Sequence, residues 1–246
     1  MCSINSNKER KYFFLSLILI FSANFFFGQG KIQYSNDKIK FCDNTFFYQI
    51  VADSTISKDR ILMLQYYNFQ SSFNPGQSTI SYDTCISLEK CEDVIRNNSA
   101  TKFSHYELTG AIIENDKIWM HPTRSDNFRI LEMNAFPYFE SGKSDWNYTL
   151  DFGDHWGDKK WIEWEGRRSS VSKYKVENKE VSYTINNKEI KCVVIQADTE
   201  IPNLGRTNSI FYYNHDYGFV RMIFNTIDNK TIEFNLIKTF NDTNIN

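Results

Sequence analysis

Apolar and polar positions alternate most clearly near the C-terminal end of the chain. Val220, Met222 and Phe224 fall on one face of an extended segment, with Arg221 and Asn225 on the other. Ile232, Phe234 and Leu236 share the corresponding face of a second segment, against Thr231, Glu233 and Asn235. A period of two predicts paired antiparallel strands with one buried and one wet side. Ile210 to Tyr213 reads as a preceding strand, with Asn214 to Gly218 as the turn.

Two more hairpins are announced by their turns. Val181 to Ile185 runs into Asn186-Asn187 and out through Lys188 to Ala197. Asn tolerates positive φ, which a two-residue type I′ turn requires. Pairing across this turn predicts Tyr183 opposite Ile190 and Val181 opposite Cys192. Ala111 to Glu114 and Lys117 to His121 flank Asn115-Asp116. That register sets Ile113 opposite Ile118 and Ile112 opposite Trp119. Upstream, Thr45–Ala52, Arg60–Phe69, Thr79–Ile86 and Phe103–Thr109 read as strands. One helix is predicted after Ser87 as N-cap, with Leu88, Cys91, Val94 and Ile95 on one face and Asn97-Asn98 at its end. Asn74-Pro75-Gly76 reads as a loop.

About a dozen strands and one or two short helices imply a mostly β fold, a large curved antiparallel sheet of half-barrel type. Residues 29–246 read as one β-rich domain. The stretch 137–145, inside the Pro- and Gly-containing segment Asn134 to Trp146, is the one place where that domain could divide.

The first 28 residues have a different pattern. Lys8, Arg10 and Lys11 precede a nearly continuous apolar run from Tyr12 to Phe27, and Gly28-Gln29-Gly30 ends it. This is the order of a secretory signal peptide, and the run is short for a spanning helix. The expectation is a secreted or periplasmic protein with no membrane span after cleavage. Protein recovered from the producing cell is expected to start between Ala23 and Lys31. N-terminal sequencing that found Met1 or Cys2 intact would point to an uncleaved anchor instead.

Composition narrows the classes further. The net charge is −2, without the basic excess that a phosphate backbone attracts, so nucleic acid is not an expected partner. Asn occurs 25 times and Ala only 6 times, which favours strands and turns over helices. Export would let cysteines pair. Cys42, Cys85, Cys91 and Cys192 follow the apolar run, and four cysteines allow three pairings. Cys85 and Cys91 could close a small loop. Cys192, in an apolar strand, reads as a buried thiol.

Several segments carry a resemblance. They are Lys117-Ile-Trp-Met-His-Pro122, Phe128-Arg-Ile-Leu-Glu132, Phe136-Pro137, Trp146, Trp156 to Trp164, Glu189 to Val194, and Phe211 to Arg221. Together they resemble a group of exported bacterial proteins with no assigned activity. From about residue 146 the chain is also similar to the class of half-barrel proteins related to periplasmic lipoprotein carriers. The resemblance implies export and an antiparallel sheet wrapped around an apolar face. It implies no site residue.

Candidate chemistry is sparse. His105, His121, His155 and His215 are isolated from one another. Asp154-His155-Trp-Gly-Asp158 could offer metal ligands, but its glycines read as a polar turn. Trp161, Glu163 and Glu165 share a strand face, a pattern that could serve a glycosidase or stack on a sugar. A solvated outer face beside Arg167 and Arg168 accounts for them equally. There is no Gly-x-Ser-x-Gly elbow and no phosphate-cradling glycine loop. No catalytic, cofactor-binding or metal-binding residue is therefore assigned, and no cofactor is expected.

The aromatic excess is the one feature with a functional shape. Phe46, Phe47, Tyr66, Tyr67, Phe69, Phe73, Tyr138, Phe139, Phe211, Tyr212 and Tyr213 could line a concave pocket, or simply make the core. One short helix has too few apolar side chains to cover a concave sheet face. An apolar, aromatic-lined pocket of roughly a few hundred Å³ is therefore expected. The expected function is non-catalytic binding at the cell envelope, of an apolar or lipid-like molecule or of an envelope protein. The alternatives are a secreted hydrolase or glycan binder using Trp156–Glu165, and a structural envelope protein with no ligand.

Overall fold

The computed structural model describes residues 44–53, 56–70, 75–96, 107–114, 116–155 and 165–241. The apolar N-terminal segment, Cys42, Phe73, His105 and the stretch 156–164 lie outside them. Twelve strands follow one another along the described chain. The first half holds β1 (Asn44–Val51), β2 (Ile61–Gln70), β3 (Ser78–Cys85), β4 (Glu107–Ile113), β5 (Lys117–Met120) and β6 (Tyr138–Glu140). The second half holds β7 (Asp145–His155), β8 (Glu165–Ile185), β9 (Lys188–Ile201), β10 (Gly205–Asn214), β11 (Gly218–Asn225) and β12 (Thr231–Asn241). One α-helix, α1 (Leu88–Arg96), follows β3, and a 3-10 turn spans Arg129–Met133. Among the described residues no helix is long and apolar enough to cross a membrane.

All twelve strands join one antiparallel sheet in the order β6-β5-β4-β3-β2-β1-β12-β11-β10-β9-β8-β7. Each strand pairs with its chain neighbour, and β1 with β12 stitches the two halves together. Among the described residues the edges of the sheet are β6 and β7, consecutive in the chain and joined through a turn where Gly142 takes φ 78°.

The predicted registers are present. Val181 faces Cys192 and Tyr183 faces Ile190, with Asn186 and Asn187 at φ 50° and 63° in the turn. Ile113 faces Ile118 and Ile112 faces Trp119. In the C-terminal hairpin Val220, Met222, Phe224, Ile232, Phe234 and Leu236 are all buried. On the other face the Arg221 Nε donates to Glu233 Oε1 at 2.8 Å. The expected strand Phe103–Thr109 and the arm Ala111–Glu114 are one strand in the described part, from Glu107 to Ile113, because Gly110 continues the ladder to Thr79.

The helix departs from expectation. Ser87 caps it through its Oγ to the Lys90 N–H, as predicted. It does not lie over the main interior, however. Phe47, Ile61 and Met63 form a second, smaller core with Cys91 and Ile95 on the opposite face of the sheet. Strands β1 to β3 are therefore buried on both sides, and all but the last residue of β3 are buried. A Cys85–Cys91 disulfide ties the helix to the end of β3, and Lys238 Nζ on β12 reaches Glu92 Oε1 at 2.6 Å. Cys192 is a buried free thiol, pushed up to about 11 by burial.

The curvature of the sheet follows from one contact. Trp119 on β5 and Tyr148 on β7 lie ten strand positions apart, yet their ring centroids are 5.7 Å apart. In a flat sheet ten steps of about 4.8 Å would separate them by roughly 48 Å. The sheet has curled until its two ends meet, but no backbone ladder joins β6 to β7 among the described residues.

Candidate functional site

The interior of the curl is occupied by the chain itself. Residues 121–137, between β5 and β6, cross it as a strap. Successive turns place Phe128 N on Ser125 O, Leu131 N on Phe128 O and Asn134 N on Leu131 O. Phe128, Ile130, Leu131, Met133, Ala135 and Phe136 are each no more than 2% exposed. The short 3-10 turn is apolar nearly all round because it is surrounded nearly all round. Phe128 meets Phe234 edge-on at 5.4 Å.

Polar anchors from both halves of the sheet hold the strap. The Tyr82 hydroxyl on β3 donates to His121 O at 2.7 Å, and the Tyr174 hydroxyl on β8 donates to Phe136 O at 2.9 Å. Burial holds both phenols well above their ordinary pKa. Thr207 Oγ1 donates to Met133 O at 3.0 Å. The Asn134 amide lies nearest the middle, 1% exposed. Its Nδ2 donates toward Asn208 O, Ser209 Oγ and Asn225 O at 3.0 to 3.2 Å. Among the described residues, a packed segment covers the concave face where a pocket was expected. The helix is not needed to cover that face, because a stretch without sequence periodicity covers it. Surface grooves of about 350 to 510 Å³ lie on the second half of the sheet, lined by polar groups such as Lys173, Asp198, Glu200 and Arg206.

Charged groups collect at the start of the strap. Arg124 Nε lies 2.6 Å from Glu132 Oε1, with His121 Nε2 at 3.9 Å from the same oxygen. His121 Nδ1 faces Pro122 O at 2.9 Å, which places the ring proton on Nδ1. Burial lowers the His121 pKa, so the neutral ring is favoured. Glu107, at the start of β4, accepts from the Arg124 N–H at 2.7 and 2.9 Å and from Thr123 Oγ1 at 3.2 Å. Its carboxyl is nevertheless pushed up to about 7, because burial outweighs those hydrogen bonds and the Arg124 charge. The arrangement clasps the strap to β4; among the described residues no group of three His, Cys, Asp or Glu could hold a metal.

The raised Glu107 pKa has a testable sign. The folded protein keeps this proton to a higher pH than the unfolded chain does. The resulting stability is complete below about pH 4.5 and is lost as pH rises through about 7. Glu107→Gln is expected to flatten the stability profile between pH 5 and 8 and to stabilise at pH 8 by about 1–3 kcal/mol. Parallel urea titrations of both proteins across that range check this. Superimposable profiles would refute it.

A second constellation forms where the ends of the sheet meet. In β4 to β6, Ala111, Ile113, Ile118, Met120 and Phe139 belong to one face by period two, paired as Ala111–Met120 and Ile118–Phe139. That face looks into the main interior, where Tyr66 Oη approaches Met120 Sδ at 3.1 Å. Trp119 and Tyr138 occupy the opposite face. There they meet Trp146 and Tyr148 of β7 and Tyr174 of β8. Tyr138 is 5.4 Å from Trp146, 5.9 Å from Tyr148 and 5.5 Å from Tyr174, and Trp146 stacks on Tyr174 at 5.3 Å. The sheet overlaps itself here: the β5–β6 end slides under β7 and β8, and aromatic side chains fill the gap. Trp119 and Trp146 are 3% and 8% exposed, and neither indole N–H has a hydrogen-bond partner. Tyr148 is half-buried and forms the rim.

The residues singled out from sequence are dispersed. Trp156, Asp158, Trp161 and Glu163 lie outside the described residues, and of Asp154, His155 and Glu165 only the strand backbone is described. His215, in the turn after β10, packs edge-on against Phe139 and Tyr213. Of the aromatics, Phe46, Tyr66, Phe139, Phe211 and Tyr213 enter the main core and Tyr138 the overlap layer continuous with it, whereas Phe47 faces the helix. No site role was assigned from the sequence to Glu107, Arg124, Glu132 or Asn134. The first three meet only through tertiary contacts, and Asn134 meets Asn208, Ser209 and Asn225 in the same way.

No family model matches the sequence, and no curated protein matches it. Solved structures do resemble the fold. A candidate exported protein of YmcC-like fold from Bacteroides fragilis is 10% identical, with a TM-score of 0.40, over 81% of this chain and 96% of that one. A candidate lipoprotein from Parabacteroides distasonis is 10% identical, with a TM-score of 0.37, over 82% of this chain and 96% of that one. The hypothetical lipoprotein YmcC of Escherichia coli is likewise 10% identical, with a TM-score of 0.38, over 90% of this chain and 96% of that one.

Proposed function

We propose that this chain is an exported, non-catalytic binding protein of the cell envelope that takes an apolar ligand where the sheet overlaps itself. Its N-terminal pattern of Lys8 to Gly30 supports export. The observation that carries the binding reading is the aromatic layer of Trp119, Tyr138, Trp146, Tyr148 and Tyr174. The interior proper is closed by the strap, whose anchors and close packing would all have to be broken to admit a guest. At the overlap, side chains alone fill the space between β6 and β7. Parting them sacrifices packing but, among the described residues, no ladder hydrogen bond between those two edges.

Titration with a fluorescent long-chain acyl analogue tests the reading, with tryptophan emission as a second channel. Binding in the micromolar range with a change in tryptophan emission is expected, weakened at least about tenfold by Tyr148→Ala. Binding no tighter than millimolar would overturn the reading and leave a structural role in its place.

A further inference from the structure

The two indole N–H groups of the overlap are its most specific chemical feature. Each is buried and unpartnered, in a layer otherwise built from ring faces and edges. A buried donor left without an acceptor carries its full desolvation cost. Two in one aromatic cluster are better accounted for by a guest than by packing alone. A guest that brought acceptor oxygens would recover both.

The charges around the layer define which acceptors suit it. Glu140 accepts from the Tyr138 hydroxyl at 2.7 Å, and Glu132 lies beyond His121, whose ring is 6.3 Å from Trp119. Arg124 is engaged with Glu132, and Lys143 with Glu140. Lys173 and Lys175 alternate with the inward Tyr174 and so lie on the outer side of β8. Lys117, on the same face of β5 as Trp119, is engaged with Glu114, so the cations on this side of the layer already have carboxylate partners. A carboxylate would enter a dry layer with donors but no counter-charge, and would meet Glu140 nearby.

We propose that the overlap binds a neutral ester or amide of an acyl chain. Acceptor oxygens of that head group face the indole N–H groups of Trp119 and Trp146, and its chain lies among the aromatic rings. This rests on the apolar-ligand reading above and adds the head group that such a ligand must carry.

The test compares methyl laurate, lauric acid and dodecane on the full mature chain labelled with 15N at tryptophan. The indole resonances of Trp119 and Trp146 are assigned with the Trp119→Phe and Trp146→Phe variants. Methyl laurate is expected to shift both resonances downfield and to bind about tenfold more tightly than dodecane or lauric acid, as one or two net hydrogen bonds allow. Each Trp→Phe variant is expected to lose most of that preference for methyl laurate over dodecane. The wild-type shifts carry the test even if a variant folds poorly. Equal binding of methyl laurate and dodecane with unshifted indoles would overturn the acceptor assignment and leave the apolar reading standing. Preference for lauric acid would overturn the neutral head group. Failure of all three to bind would overturn both readings.

Discussion

Phe234→Ala is expected to destabilise the protein by about 3–5 kcal/mol in urea denaturation. Phe234 is 2% exposed on β12, in the middle of the sheet order. Its ring meets Phe128 of the strap at 5.4 Å and Phe224 of β11 at 6.0 Å, both edge to face. Truncation removes the transfer energy of the ring and leaves a cavity between two elements of different origin. The strap cannot collapse into that space, because Tyr82, Tyr174, Thr207 and Asn134 fix it on either side of Phe128. Phe234→Leu keeps most of the volume and is expected to cost only about 1–1.5 kcal/mol. A loss below about 1 kcal/mol for the alanine variant would show that strap and sheet do not pack as described.

Asn134→Asp is expected to be nearly as damaging at neutral pH and to recover in acid. The Asn134 Nδ2 sits among three acceptors, so exchanging oxygen for nitrogen within the amide would set oxygen against oxygen. An aspartate there would bury a negative charge facing two carbonyl oxygens, with only the Ser209 hydroxyl able to donate to it, a loss of about 3 kcal/mol or more at pH 7. Its folded-state pKa would be raised, since only the protonated acid can donate. The stability this proton provides is complete below the ordinary aspartate value, about 4, and is lost as pH rises. The deficit relative to the parent protein is therefore expected to shrink from pH 7 to pH 4. Asn134→Leu, which has no charge to remove, is expected to show the same deficit at both. Equal deficits for both variants at the two pH values would refute the donor role of the amide.

Strands, registers and turns were legible in the residues because each depends on near neighbours. Period two in Val220–Phe224 and Ile232–Leu236 names the inward face whatever lies opposite. The Asn186-Asn187 turn sets Val181 against Cys192 by counting outward from two residues that accept positive φ. The helix was legible for the same reason, through Ser87 and the stripe of Leu88, Cys91 and Ile95. An apolar stripe shows that a helix is covered, not what covers it. The unbroken Phe46-Phe47-Tyr48 run was the signal that β1 is buried on both faces, and so that the helix has a second face to occupy.

The strap and the overlap were decided only in three dimensions. A segment buried all round has no amphipathic period to betray it, so residues 121–137 lacked the signature of any element although Phe128, Leu131 and Phe136 are buried. Asn134 reads as a loop residue in isolation. Its role exists only because Asn208 and Asn225, far along the chain, bring their carbonyls to it. Trp119 and Tyr138 likewise carry no mark that separates them from core aromatics. The curl of ten strand steps brings β7 over them and turns an outward sheet face into an aromatic layer. Local alternation determines which side of a strand is apolar; only the accumulated curvature of the whole sheet determines what that side meets.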